Sequence, residues 1–209
     1  DLFFGGVPNN FTEFNGSKSE AIYGELSYDL SEKFTASLGS RYFKDDRTFE
    51  SPTGGDRLSE SFDKVSSSVK VSYAATDNSN IYLNISEGFR SGGFNANGVT
   101  YKPENLISYD LGVKATFMDG RLGVDGAIFR SDYKDFQSLE QVDIGGGAPV
   151  PVTGNPGEVE MEGLELSVQF KVVDNLNVGL SGGVVNAEFV KTDPLITTVL
   201  PGDSLNNLP

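Results

Sequence analysis

"KVSSSVKVSYAATDNSNIYLNISEGFRSGGFNANGVTYKPENLISYDLGVKATF", residues 64 to 117, holds three apolar alternations joined by two links of very different length. Val65, Val69, Val71, Tyr73 and Ala75 stand opposite Ser66, Ser68, Lys70 and Ser72, and after "DNS" Ile81, Leu83 and Ile85 stand opposite Asn84 and Ser86. Side chains alternate across a strand, so this period of two describes ribbons with one apolar side. The glycine- and asparagine-rich link "SGGFNANG" then leads to Ile107, Tyr109, Leu111, Val113, Ala115 and Phe117, which alternate with Ser108, Asp110, Lys114 and Thr116. A short turn at one end and a long link at the other is the pattern to explain.

The same pattern runs outward in both directions. Ile22, Gly24, Leu26, Tyr28 and Leu30 oppose Glu25, Ser27 and Asp29, and across "SEK" Phe34, Ala36, Leu38 and Tyr42 oppose Thr35, Ser37, Gly39 and Arg41. "RLGVDGAIFRSDY" follows the turn "MDG", and "EVEMEGLELSVQFKV" meets "LNVGLSGGVVNAEF" across "VDN". Four hairpins and eight strands result. Their turns carry Asp or Ser with Asn, Gly or Lys, as tight hairpin connections require. Between hairpins the links are expected at 46 to 61, 90 to 105 and 138 to 157, with a tail from 191 onward, all rich in Gly and Pro.

Composition agrees with an all-β chain. Among 209 residues there are 25 Gly, 15 Phe and 8 Tyr, against 2 Met and no Cys, His or Trp. Without Cys and His, a Cys nucleophile, a Ser/His/Asp triad and a thiolate or imidazole metal site cannot be assembled from these residues. The formal net charge of -14 repels nucleic acid, which is not expected as a partner. No run of about 18 apolar residues exists, so no transmembrane helix is expected, and "DLFFGGVPNN" lacks the basic head and apolar stretch of a signal peptide.

Strand length separates a membrane barrel from a soluble sandwich. The patterned runs are mostly longer than the 5 to 6 residues usual in globular sheets, whereas a tilted strand crossing a bilayer needs about 9 to 11. Charges at Glu25, Arg41, Lys70, Asp110, Lys114, Asp125, Glu160, Glu165 and Lys171 fall on the polar faces, leaving the opposite faces apolar. One face is expected in water and the other in outer-membrane lipid. Tyr28 and Phe34 beside the first turn, and Phe117 at the end of its strand, would lie at an interfacial girdle.

Several stretches resemble the barrel of TonB-dependent outer-membrane receptors. These are "KSEAIYGELSYDLSEKFTASLGSRYFKDDRTF" (18 to 49), "EGFRSGGFN" (87 to 95), "YKPENLISYDLGVK" (101 to 114), "GRLGVDGAIFRSDYKDFQ" (120 to 137) and "NPGEVEMEGLELSVQF" (155 to 170). The resemblance spans about residues 18 to 190. It implies an antiparallel meander of about eight long transmembrane strands, an incomplete segment of a large outer-membrane β-barrel of roughly 22 strands. The expected organisation is one partial barrel domain over 1 to 209. Residues 1 to 18 form a loop or strand end, 19 to 190 four hairpins and 191 to 209 an extracellular loop. No plug domain or energy-coupling segment is expected within this chain, and "NNLP" is not the aromatic-ended strand that closes such barrels.

By the same resemblance, the intact protein captures a scarce nutrient at the bacterial surface, such as a ferric siderophore, a cobalamin or a glycan. Import would depend on its own plug domain and on the TonB energy-coupling complex. Two other readings stay open: a self-contained eight-stranded barrel with a structural or adhesive role, and a soluble β-sandwich binding module. No catalytic residue, cofactor site or metal site is expected, and the chain is not expected to be an enzyme.

Three clusters draw attention. Phe89, Arg90, Phe94 and Asn95 are candidate substrate-loop contacts, although the glycines between them also serve simply to turn the chain away from the sheet. Glu158, Glu160 and Glu162, at alternate positions of one strand, have a spacing that could serve glycoside hydrolysis but are better read as a hydrated lumen face. Asp45, Asp46 and Asp56 could offer oxygen ligands to a divalent cation, but match no defined calcium loop and are expected to be solvated.

Overall fold

The computed structural model describes residues 14–50, 57–95, 98–142, 150–193 and 200–205. Eight long strands form one antiparallel sheet: β1 (Phe14–Asp29), β2 (Phe34–Glu50), β3 (Arg57–Thr76), β4 (Ser79–Arg90), β7 (Glu104–Phe117), β8 (Leu122–Val142), β9 (Val150–Val173) and β10 (Leu176–Thr192). Between β4 and β7 a two-residue pair, β5 (Gly93–Phe94) and β6 (Thr100–Tyr101), makes a separate small hairpin. The long strands pair strictly with their neighbours in chain order, which makes the sheet a meander. Among the described residues no ladder joins β1 to β10, so the eight strands do not close on themselves.

Register explains why the sheet has two characters. Tyr28, Ala36, Val71, Leu83, Leu111, Ile128, Leu164 and Val184 are cross-strand partners in turn, one from each strand. All eight are apolar or aromatic. On β1 to β3 a slip of one residue in either direction would move Ser27 or Asp29, Thr35 or Ser37, Lys70 or Ser72 into this row, so the pattern fixes the pairing there. The row is bare: Leu83 is 46% exposed, Leu164 51% and Val184 73%. Among the described residues the apolar faces are not packed against a second layer, which is what a sandwich would require, and hydrocarbon is a fitting surrounding for them.

The row also reports strand tilt. It passes close to the first tight turn, where Tyr28 is soon followed by Ser31, but far from the last, where Leu164 is well removed from Asp174. At its other side, the apolar positions continue up to Ile22, Tyr42 and Val65 on β1 to β3, yet stop at Ile128, Leu164 and Val184 on β8 to β10. Both borders therefore drift in the same sense by about one residue per strand, as in barrels tilted 35–45°. At that tilt the stretch from Phe34 to Tyr42 rises about 19–22 Å, somewhat short of the ~25 Å apolar band of an outer-membrane barrel.

The tight turns are made as their residues allow. Met118 and Asp119 have φ of 55° and 54° and Gly120 has φ of 82°, so the "MDG" connection runs through left-handed conformations that reverse the chain in few residues. Aromatics gather near this end, with the Phe34 and Tyr73 rings 4.7 Å apart and Phe117 half exposed at 51%.

Two expectations need correction. The strands reach well into the links expected at 46 to 61 and 138 to 157, since β2 runs to Glu50, β3 starts at Arg57, β8 runs to Val142 and β9 starts at Val150, whereas the link expected at 90 to 105 stands, with β4 ending at Arg90 and β7 starting at Glu104. Backbone pairing outlasts the membrane because a second, inward-facing core takes over there. Glu160 and Glu162 are not on the lumen face, since they share the parity of Leu164 and Leu166 and so face outward beyond the apolar band.

Candidate functional site

The face opposite the apolar rows carries Glu25, Arg41, Lys70, Asn84, Asp110, Lys114, Asp125 and Glu165 at the level of the band. Lys114 and Asp125, Cα partners on β7 and β8, pair at 3.1 Å. Asn84 Nδ2 donates to Asp110 at 3.1 Å. Lys70 lies over the Tyr82 ring at 5.3 Å and Arg41 over the Phe43 ring at 5.1 Å. Such a charged wall suits contact with water, a passing solute or another polar domain.

Beyond the band this same face becomes a conventional interior. Phe49, Phe62, Val159, Ala187 and Phe189 are buried there, 1–7% exposed. On β2 and β3 the aromatic group is joined from the connection by Phe94, 6.2 Å from Phe49. On β8 to β10, Tyr133, Phe136 and Phe189 meet edge to face at 5.6 and 6.1 Å.

Among the described residues no buried side-chain nitrogen or oxygen lacks a partner, as burial demands. Asp45, 1% exposed, accepts from Ser17 Oγ at 2.7 Å and from Arg47 Nε at 2.6 Å, and is also bonded by Ser91. Burial by itself would push the Asp45 carboxyl up, but these donors and the Arg47 charge outweigh it, and the net displacement is downward from the ordinary aspartate value. Glu104 accepts from the Gln137 backbone N–H at 2.7 Å.

The four candidate loop residues fall into different roles. The Phe89 ring is 6.2 Å from Phe43 and Arg90 is exposed at the end of β4. Phe94 is half-buried on β5 against Phe49. Asn95 is buried and its amide is fully used: Nδ2 donates to Val99 O at 3.2 Å and Thr153 O at 2.9 Å, while Oδ1 accepts from Thr153 N at 2.7 Å. The glycines do more than turn the chain. A Cβ on Gly92 would strike the Tyr101 carbonyl and lie 2.9 Å from the Phe62 ring.

The carboxylate clusters separate. Asp45 and Asp46 are successive strand residues on opposite faces, and Asp56 lies outside the described residues. Asp45 is buried rather than solvated, because Ser17, Arg47 and Ser91 close around it. Glu160 pairs with Arg130 at 2.6 Å and Glu158 with Lys191 at 2.9 Å. Among the described residues no group of acidic side chains could hold a metal ion.

Sequence reasoning passed over Gln137, Thr153 and Asn155. Gln137 Nε2 donates to Ser91 O and Lys102 O, both at 2.9 Å. Asn155 Oδ1 accepts from Lys102 N at 2.8 Å and its Nδ2 donates to Lys102 O at 3.1 Å and Asp135 O at 2.7 Å. Gln137 and Asn155 are isolated amides near the ends of strand patterns, in "YKDFQ" and "NPG", and nothing local in the sequence marks their distant backbone partners.

Over residues 1–209 the chain matches the family model described as TonB dependent receptor-like, beta-barrel. It is 25% identical over 196 residues to the pesticin receptor of Yersinia enterocolitica serotype O:8, covering 88% of this chain and 28% of that protein. It is also 25% identical over 190 residues to the probable TonB-dependent siderophore receptor PiuA of Acinetobacter baumannii, covering 83% and 24%. In fold it is similar to the ferric yersiniabactin uptake receptor FyuA from Yersinia pestis, with a TM-score of 0.68 at 21% identity over 86% of this chain and 28% of that one. The chain spans about a quarter of the length of the curated relatives it matches.

Proposed function

The chain belongs to the TonB-dependent receptor-like β-barrel family, and from that premise we propose that it is a stretch of wall in an outer-membrane active transporter that binds a scarce nutrient and imports it with TonB-coupled energy. The eight-strand row from Tyr28 to Val184 carries the reading. It is apolar throughout and bare, while the opposite face is charged, and this sorting fits a wall between lipid and a wet lumen.

The unclosed sheet supports a segment of a larger barrel over a self-contained eight-stranded one. The cargo class we propose is a metal chelate such as a ferric siderophore, with cobalamin or a glycan as the other members of the same transport logic. The relatives are receptors, which favours a binding role without catalysis. Phe89, Arg90 and Phe94 would stand nearest the cargo, with Asn95 acting through the backbone it holds. A plug domain of the same protein would face Glu25, Arg41, Lys70 and Glu165 in the lumen.

The test is uptake by cells carrying the full-length protein as their sole receptor of this class, supplied with radiolabelled ferric chelates, cobalamin and oligosaccharides. One ligand class is expected to accumulate, and accumulation is expected to vanish when TonB is deleted. Uptake that persists without TonB, or no uptake of any of the three classes by a correctly inserted receptor, overturns the reading.

A further inference from the structure

The ladder between β3 and β4 stops early. Its last pair toward the long-link end is Ser68 with Ser86, whereas β2 and β3 stay paired out to Glu50 with Arg57, and β4 and β7 out to Arg90 with Glu104. Beyond Ser68 the wall is therefore two flanks, β1 to β3 and β4 to β10, with no backbone ladder between them among the described residues. At the fork the Glu87 carboxylate accepts from the Ser67 backbone N–H at 2.9 Å, replacing one lost partner. A sheet split in this way would splay unless something else joined its halves.

The β5–β6 hairpin lies across the split on the polar face. Toward the first flank, Ser91 bonds buried Asp45 of β2, Phe94 packs at Phe49, Gly92 lies against Phe62 of β3, and a Cβ on Gly98 would be 3.3 Å from Leu58. Toward the second, Asn95 forms a two-way amide bond with the Thr153 backbone of β9, at 2.9 and 2.7 Å. Gln137 of β8 spans Ser91 O and Lys102 O, and Asn155 of β9 grips Lys102 from both its N–H and its C=O. Three side-chain amides thus do what strand backbone does elsewhere, each offering a donor and an acceptor in one plane. Such substitution needs no continuous strand, which lets the hairpin cross the flanks instead of extending one of them.

We infer that the β5–β6 hairpin is a strap that replaces the missing β3–β4 ladder and clasps the two flanks of the wall together above the membrane, with Asn95 and Gln137 as its positioning residues. Among the described residues the strap carries no ladder to either flank's strands: it runs on in the chain into β4 and β7 of the second flank, and is joined to the first by side-chain bonds and ring packing. It is consequently the weakest continuous tie in the wall, and the place where the mouth of the barrel can change width without disturbing the spanning rows.

The experiment uses the full-length receptor in bilayers, with spin labels at Asp63→Cys on β3 and Leu139→Cys on β8; both positions are exposed, and this chain has no native cysteine. The intact strap is expected to give one narrow interlabel distance. Combining Asn95→Ala with Gln137→Ala is expected to lengthen and broaden it, while a label pair within one flank, at Asp63→Cys and Lys18→Cys, stays unchanged. An unaltered Asp63–Leu139 distribution in the double variant overturns the strap. Should that variant fail to insert, hydrogen exchange on the unmodified receptor decides: the Thr153 and Lys102 amides, covered by Asn95 and Asn155, are expected to be protected, and exchange at the open-chain rate overturns the inference. Neither measurement requires cargo or TonB, so its failure is distinct from a failure of the transport reading.

Discussion

Leu83 and Val159 belong to one sheet and meet opposite conditions: Leu83 is 46% exposed in the spanning band, and Val159 is 1% exposed beyond it. The difference holds along whole strands. On β2, apolar side chains in the band occupy the outward positions Phe34, Leu38 and Tyr42, and the next apolar ones, Phe43 and Phe49, occupy the inward parity. On β10, outward Leu180 and Val184 give way to inward Val185, Ala187 and Phe189. The pleat does not change. What changes is the solvent on each side, so the apolar parity inverts where the strand leaves lipid. Strands such as β2 and β10 are thus two half-strands with opposite apolar faces, and of the ladders only that between β3 and β4 ends near the crossing, at Ser68 and Ser86.

The largest test of this contrast removes a ring from the upper core. Phe62, 7% exposed, packs under Gly92 of the strap, and Phe62→Ala is expected to cost about 3–5 kcal/mol of local stability. Hydrogen exchange of the full-length receptor should register it in residues 57 to 67 and 91 to 95, with the spanning rows unaffected. Equal loss of protection throughout the sheet would mean that the two regions are one cooperative unit. A second substitution works the other way round. Leu83→Arg places a charge in hydrocarbon and is expected to cost about 2–4 kcal/mol, whereas Leu139→Arg, at a residue 74% exposed above the band, should stay within about 0.5 kcal/mol. Urea unfolding in bilayers measures both. If the pair cost the same, the band has been drawn at the wrong height.

The inversion also explains what could be read in the sequence. Within the band a single periodicity runs unbroken, so the eight strands and the four tight turns were legible from Ile22, Leu38, Val71, Leu83, Leu111 and Leu164 and their polar neighbours, whereas the open meander was implied by the family resemblance alone. Above it, period two survives but its phase shifts. At Tyr42–Phe43 and at Val184–Val185 two apolar residues fall side by side, and the pattern reads as an ending although the ladder goes on. Glu160 and Glu162 were misplaced for the same reason, because polar parity stops meaning lumen once the outer side is also wet. The strap was not legible at all. Asn95, Gln137 and Asn155 act on backbone that lies far away in sequence, 58 residues in the case of Asn95 and Thr153, and no local period encodes such a meeting.

The smallest effect concerns Asp45, which is 1% exposed against 9% for Glu104 and is the most enclosed carboxylate among the described residues. Asp45→Asn keeps the shape and the capacity to accept from Ser17, but gives up the charge facing Arg47, and is expected to cost about 1–3 kcal/mol. Its pH signature follows from sign. Burial would raise the carboxyl, and the bonds from Ser17, Arg47 and Ser91 together with the Arg47 charge lower it further than burial lifts it, so the folded value lies below the ordinary 3.8. A group depressed on folding stabilises fully above its unfolded value, and that contribution is lost as pH falls through the folded one. Protection of the Ser91 end of the strap should therefore be flat from neutrality down to about pH 4 and decline below it. In Asp45→Asn it should start lower and show no such decline. A wild-type profile that already weakens between pH 7 and 5 would assign the strap's anchoring to some other group, and would leave Asp45 as mere filling in the upper core.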